Sequence, residues 1–345
     1  MSRPLLVMVG GFLGAGKTSL ILAAAEKLQR RGMRVAAILN DQGEDLVDTL
    51  LATQHGVPAD QVTGGCFCCR FPDLVAAAER LESHRPDVIF AEAVGSCTDI
   101  VATTLRPLLR DYPDRFRLAP FTVLVDALMA EALLADEDML FLWKNQVDEA
   151  DLVWCTKLDR LDMYSGSMPR LSARTGEGVD HWLEQVMGEG AVVAANVLDL
   201  DYGRYARAEA ALAWLNCRVM VRPRVACSPA MVVGPLLDGL DAALTRAGAR
   251  IVHLKVMGQC ETGYVKAAQC RNGQPPEVEG ILDASPAAEH EVLVNLRAVA
   301  DPEVLRAIVQ DGFRALGAAL PAAVEWRLLQ CFRPSPPAPW VSQPI

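Results

Sequence analysis

The chain has 345 residues, 51% of them hydrophobic and 22% charged, with a formal charge of −10 at neutral pH. That length admits a domain of about 200 residues and a smaller one, and the acidic balance excludes a general nucleic-acid binder, which needs a basic footprint. No uncharged apolar stretch approaches the roughly 18 residues of a membrane span, so no membrane contact is expected. Met1 to Val9 reaches Gly10-Gly11 too soon for a signal-peptide hydrophobic region. The expected location is therefore cytoplasmic, where the ten cysteines stay mostly reduced and their clustering becomes a matter of metal or redox chemistry.

Leu5 to Val9 is a continuous apolar run, the pattern of a strand buried on both faces. A glycine-rich turn follows, and Ser19 to Arg31 reads as a helix with Leu20, Ala23, Ala24 and Leu28 on one face. Val35–Leu39, Val88–Ala91, Phe121–Val125 and Leu152–Thr156 repeat the buried-strand pattern, with helical stretches such as Leu74–Glu82 and Glu131–Ala135 between them. Alternation of strand and helix implies an α/β domain with a parallel sheet and helices on both faces. The run Ala191 to Val197 is expected to close this sheet.

Beyond about residue 205 the pattern changes. Strands are expected at Trp214–Val221, Ile251–Met257, Tyr264–Cys270, Glu291–Val299 and Val324–Phe332, with helices at Pro229–Ala247 and Pro302–Leu316. That order suits a smaller α+β domain related to the split βαβ arrangement. The expected division is 1–200, 205–332 and a proline-rich tail, 333–345, that is extended or loose.

Gly11-Phe12-Leu13-Gly14-Ala15-Gly16-Lys17-Thr18 matches G-x-x-x-x-G-K-[ST] in full, between a strand and a helix as that motif requires. The fold expected is thus a P-loop NTPase. Glycines let consecutive backbone N–H groups face phosphates, and the following helix, from Ser19, adds its positive N-terminus. Lys17 suits the β- and γ-phosphates, and the Thr18 hydroxyl suits Mg²⁺. Thr156-Lys157-Leu158-Asp159 resembles the guanine signature [NT]-K-x-D: a carboxylate there accepts both donors of the guanine edge, a pair adenine lacks. Ser172-Ala173-Arg174-Thr175-Gly176 resembles the loop that backs the base, so GTP is favoured over ATP. Glu92 and Gly95, an E-x-x-G at the end of an apolar strand, are placed to orient a water and to sense the γ-phosphate.

Cys66, Cys68 and Cys69 put three thiols into four residues after Gly64-Gly65. With Zn–S near about 2.3 Å, sulfurs around a tetrahedral zinc lie about 3.8 Å apart, a spacing such a loop can reach. Soft thiolates select zinc or another transition metal over Mg²⁺. A fourth ligand is expected from water, a client or a switch carboxylate such as Asp41 or Glu44. Cys97, Cys155, Cys217, Cys227 and Cys331 read as core or chance positions.

Taken together, G-G-F-L-G-A-G-K-T, G-G-C-x-C-C and E-x-x-G resemble the CobW-type GTPases, relatives of the urease and hydrogenase nickel chaperones. Asn40-Asp41-Gln42-Gly43-Glu44 with Asp48 is similar to the family's N-E-F-G-E…D first switch, with Asp41 keeping a carboxylate and Gln42 replacing phenylalanine. Gln146 to Asp151 resembles its lead-in to the guanine motif. The resemblance implies a metallochaperone that binds Zn²⁺ or a similar ion and couples nucleotide state (GTP or GDP) to transfer into a client metalloprotein or cofactor-dependent enzyme. Two features depart from it: the five histidines are scattered rather than forming a metal store, and the second half shows no clear copy of the usual C-terminal module. A GTPase switch that regulates or repairs a cofactor-dependent enzyme, with purely structural cysteines, and a small-molecule kinase or ATPase remain as rivals, the base motifs counting against the last. A homodimer is an assembly left open.

Overall fold

The computed structural model describes residues 3–44, 47–129, 133–160, 166–188 and 190–341. It divides into two compact units: the first holds Met1–Gln42, Asp48–Glu209 and Pro336–Ile345, the second Gly43–Val47 and Ala210–Ser335.

In the first unit, seven strands among the described residues form one parallel sheet. They are β1 (Leu5–Gly11), β2 (Val35–Asn40), β3 (Ala59–Val62), β4 (Val88–Glu92), β5 (Arg117–Leu118), β6 (Thr122–Asp126) and β7 (Leu152–Thr156). The order is β3-β2-β4-β1-β6-β7, with β5 also pairing β1. Every residue of β1, β2, β4 and β6 is buried. Strands covered on both faces need apolar side chains at each position, which is why the sequence shows runs here and not alternation. The helices are α1 (Lys17–Arg30), α2 (Val47–Gln54), α3 (Phe71–Leu81), α4 (Arg106–Asp111), α5 (Glu137–Glu149), α6 (Val179–Met187) and α7 (Tyr202–Ala210). Helix α1 starts two residues before the expected Ser19, because Gly16 turns left-handed at φ 90° and feeds the phosphate loop straight into the helix. Of the expected helix Glu131–Ala135, the first two residues lie outside the described residues.

Ala191–Val197 does not extend the sheet. It carries no strand, and Val192 and Val197 are exposed. Its backbone is committed elsewhere: the Asp151 carboxylate accepts from the amides of Ala194 (2.8 Å) and Ala195 (3.1 Å), while Arg106 donates to both their carbonyls at 3.2 Å. The two amides, with one hydrogen each, are therefore not free to join a ladder.

The second unit carries an antiparallel six-stranded sheet in the order β11-β10-β9-β12-β8-β13. Its strands are β8 (Ala213–Pro223), β9 (Arg250–Cys260), β10 (Gly263–Gln269), β11 (Glu277–Gly280), β12 (His290–Val299) and β13 (Ala322–Phe332). With α8 (Ala230–Arg246) between β8 and β9 and α9 (Pro302–Ala319) between β12 and β13, this is a split βαβ fold with an added edge hairpin. Its core follows from two periods meeting. Leu215, Cys217, Val219 and Val221 alternate along β8, and Val232, Leu236, Leu240 and Leu244 recur on α8. Phe313 of α9 is fully buried there, edge-on to Trp326 at 5.1 Å between ring centroids. Phe313→Ala should destabilise this unit by about 3–5 kcal/mol in urea unfolding, the usual cost of emptying such a site; a loss below about 1 kcal/mol would mean the core does not depend on it. No helix of the described residues is long and apolar enough to cross a membrane.

Candidate nucleotide and thiolate site

The phosphate loop closes on its own backbone. The Lys17 ammonium donates to the carbonyls of Gly11 (2.8 Å) and Phe12 (3.2 Å). The Thr18 hydroxyl donates to Glu92 Oε2 at 2.8 Å, which joins the start of α1 to the end of β4. Lys17, Thr18 and Glu92 are all buried. Gly95 follows on the turn after β4. A Cβ there would lie 3.0 Å from the Leu13 Cα and 2.7 Å from its Cδ2, so only glycine lets the two loops approach. Gly11 is equally constrained: at φ 128°, a Cβ would meet the Leu124 carbonyl oxygen at 2.5 Å.

The base motif is tied to the phosphate loop. The Thr156 hydroxyl donates to the Ala15 carbonyl at 2.8 Å, and the Lys157 ammonium lies 3.1 Å from the Asp126 carboxylate. Lys157 itself sits at φ 61°, a strained conformation for a residue with a Cβ. Asp159 accepts from the Ser172 hydroxyl at 2.7 Å and from Arg174 Nε at 2.8 Å. Burial pulls the Asp159 carboxyl up, but the Ser172 and Arg174 hydrogen bonds more than offset it and leave it below the usual carboxylate range. Asp159 and Ser172 are thus brought together, and Arg174 of the same loop joins them. Ala173 lies between Ser172 and Arg174 on that same loop.

The sulfur loop hangs from the end of β2. The Asn40 amide donates to the carbonyls of Val62 (2.9 Å) and Gly65 (2.8 Å), and its oxygen accepts from the Phe67 amide at 2.8 Å. One side chain therefore holds both sides of the C-x-C turn. Cys66 and Cys68 are joined as a disulfide. Cys69 Sγ lies 3.5 Å from Cys66 Sγ and 3.6 Å from Cys68 Sγ, and Cys97 Sγ lies 3.9 Å from Cys68 Sγ. Among the described residues, the group of metal-ligating atoms that converges is the Cys66, Cys68 and Cys97 sulfurs, all within 4.8 Å of one another.

One expectation changes here. Cys97 is not an isolated core cysteine, since its sulfur faces the loop. Neither Asp41 nor Glu44 is part of that group, and the Glu44 backbone is bound by Asn216 (2.7 Å) and Gln330 (3.0 Å) within the second unit. The described part of the tail carries no helix or strand and makes two contacts with the sulfur loop. The Trp340 amide donates to the Cys68 carbonyl at 2.8 Å, and the Ala338 amide points to Cys69 Sγ at 3.3 Å.

Sequence reasoning missed the clamp around Gly95 to Asp99. Gln146 donates to the carbonyls of Gly95 (3.0 Å) and Cys97 (2.9 Å), while Glu149 accepts from the Thr98 hydroxyl and the Val101 amide, both at 3.1 Å. Burial pushes the Glu149 carboxyl up to about 8. From α7, the Tyr205 hydroxyl accepts from the Thr98 amide at 3.2 Å and the Tyr202 hydroxyl donates to Asp99 at 2.5 Å. Glu209 accepts from Ser96 (2.7 Å) and from Gln42 (3.4 Å), which accounts for glutamine at that first-switch position. The available signal was the i, i+3, i+7 spacing of Tyr202, Tyr205 and Glu209 on one helix face.

Comparison with known proteins agrees with this arrangement. The chain is 30% identical over 159 residues to the zinc chaperone YjiA of Escherichia coli, covering 44% of this chain and 48% of that protein. It is 34% identical over 122 residues to the urease accessory protein UreG of Ureaplasma parvum, covering 32% of this chain and 58% of UreG. It is 28% identical over 204 residues to the zinc-regulated GTPase metalloprotein activator 1 of Schizosaccharomyces pombe, covering 56% and 48%. The chain spans about half the length of the curated relatives it matches. The family described as "CobW/HypB/UreG, nucleotide-binding domain" matches residues 5–177, from the first strand through the loop behind the base site, and on that match, which takes in half of the chain, the protein belongs to this family.

Proposed function

We propose that this protein is a Mg²⁺-dependent GTPase that binds a divalent transition metal, zinc foremost, on its cysteine loop and couples nucleotide state to delivery of that metal to a client protein. The observation that carries the reading is Asn40. It ends the strand leading into the first switch and also holds Gly65 and Phe67, so the sulfur loop cannot ignore a movement of that switch. The names of the matched relatives, two concerned with zinc and one with urease maturation, support the same reading.

In the hydrolytic half, Lys17 exchanges two carbonyls of its own loop for phosphate oxygens, and Glu92 positions a water beside the Thr18 hydroxyl. Two buried oxygen donors 2.8 Å apart suit a hard cation, so Thr18 and Glu92 would hold Mg²⁺, which when bound neutralises phosphate charge. Asp159 reads guanine, with Ser172 and Arg174 fixing its carboxylate in the charged form. Turnover is expected to be slow, because no arginine of the phosphate loop supplies transition-state charge. Clients, GDP release and any homodimer belong to the same proposal.

The rival, a GTPase switch with structural cysteines, draws support from the Cys66–Cys68 disulfide. Metal analysis of the reduced protein, with and without GTP, separates the two. The expected outcome is about one metal ion per chain in the wild type and a clear loss in Cys66→Ser, since three or four thiolates define such sites. Metal-free wild type under zinc-replete, reducing conditions would leave the switch reading standing.

A further inference from the structure

Cys97 lies 28 residues beyond Cys69, outside the C-x-C-C loop, on the turn that follows Gly95. Its sulfur nevertheless sits 3.9 Å from Cys68 Sγ and within 4.8 Å of Cys66 Sγ. Sulfurs around a tetrahedral zinc stand about 3.8 Å apart. The Cys66–Cys69 and Cys68–Cys69 separations, 3.5 and 3.6 Å, fall close to the same value. Buried thiols that act only as small hydrophobes have no reason to turn their sulfurs toward two others.

Accepting the metal-binding reading above, we propose that Cys97 is a metal ligand: the ion is held by Cys66, Cys68 and Cys97 as three buried thiolates, with Cys69 as the outer fourth sulfur. The assignment rests on accessibility as well as spacing. Cys66, Cys68 and Cys97 are at most 3% exposed, whereas Cys69 is only partly buried and meets the tail amide of Ala338. Three inner sulfurs retain the ion, and the outer one is the bond that a client thiol can replace first, as in exchange between thiolate ligands. The chemistry balances as follows. A dithiol reductant donates two electrons and two protons to the Cys66–Cys68 disulfide, becoming a disulfide itself. The four thiols then each release a proton to solvent as they bind the cation, since thiolate is the ligating form.

The position of Cys97 also gives the site a direct link to the nucleotide. It is two residues from Gly95, and Gln146 holds the carbonyls of both, so the turn moves as one piece. The first switch reaches the same ion through Asn40 and Cys66–Cys68. The metal thus bridges the two segments that answer to the γ-phosphate.

The test uses the full-length, reduced chain loaded with Co²⁺ alone. Wild type should show thiolate-to-cobalt charge-transfer absorption, and Cys97→Ser should lose about a quarter of that intensity per bound ion, one ligand of four. Its affinity should fall by at least the roughly 10- to 100-fold that even an outer-shell change costs. Cys217→Ala, a buried cysteine of the second unit, should change neither. X-ray absorption on the zinc-loaded wild type needs no variant and should count four sulfurs around the ion. Charge transfer in wild type with an unaltered Cys97→Ser spectrum would overturn the assignment of Cys97 while leaving the metal-delivery reading intact, and a shell of three sulfurs and one oxygen would remove Cys69 as the fourth ligand. Absence of charge transfer in the wild type would instead remove that reading itself.

Discussion

Lys17→Ala should abolish tight GTP binding and reduce turnover by at least the roughly 100- to 1,000-fold that follows removal of a single preorganised charge-stabilising donor. The buried ammonium donates to loop carbonyls 2.8 and 3.2 Å away, which holds it at the phosphate loop. The loss should appear in binding as well as in kcat, because ground-state β- and γ-phosphates already carry the charge that lysine answers. Asp159→Ala is the complementary measurement. It leaves Lys17 and the phosphate loop untouched and removes the acceptor shared by Ser172 and Arg174, so GTP should weaken relative to ATP. Equal turnover of ATP and GTP by the wild type, or unchanged GTP affinity in Asp159→Ala, would sink the guanine assignment. Lys17→Ala with wild-type turnover would sink the phosphate assignment separately.

The parts of the site that were legible in sequence are those whose chemistry sits in consecutive residues. Gly11 to Thr18 and Cys66 to Cys69 each bring their donors together within one loop, so spacing alone announces them. The parallel sheet was legible because strands buried on both faces write continuous apolar runs. What escaped was held by contacts between residues far apart. Cys97 reaches Cys68 across 29 positions, and Glu209 reaches Ser96 across 113. A cysteine and a glutamate at such separations carry no local period. Ala191–Val197 failed in the opposite sense. Its apolar composition imitates a strand, but Asp151 and Arg106 had already engaged the amides and carbonyls of Ala194 and Ala195, which no count of hydrophobic residues can reveal.

Metal affinity should depend on the bound nucleotide, and Asn40 should carry a large part of that dependence. A coupling of about 1–3 kcal/mol is typical between linked sites, which corresponds to roughly a 5- to 150-fold change in affinity. The physical route is short. The Asn40 side chain ends β2, immediately before Asp41 and Gln42 of the first switch, and binds Val62, Gly65 and Phe67 through its three polar contacts. A displacement of β2's end by a few tenths of an ångström moves Cys66 and Cys68 with it, and thiolate–metal bonds tolerate no more than that. Linkage requires the effect to be mutual: if a non-hydrolysable GTP analogue changes metal affinity by some factor, metal must change affinity for the analogue by the same factor. Zinc titrations of the reduced chain with the analogue, with GDP and with no nucleotide measure the first arm, and nucleotide titrations with and without zinc measure the second. In Asn40→Ala the ratio between the analogue and GDP should fall toward one while the four sulfurs still bind. Asn40→Asp, which keeps the acceptor for the Phe67 amide but loses both donors, should fall between wild type and Asn40→Ala. Three identical zinc affinities in the wild type would reduce the cysteine loop to a site that happens to lie on a GTPase. A full wild-type ratio retained in Asn40→Ala would place the coupling elsewhere, with the turn from Gly95 to Cys97 as the remaining path.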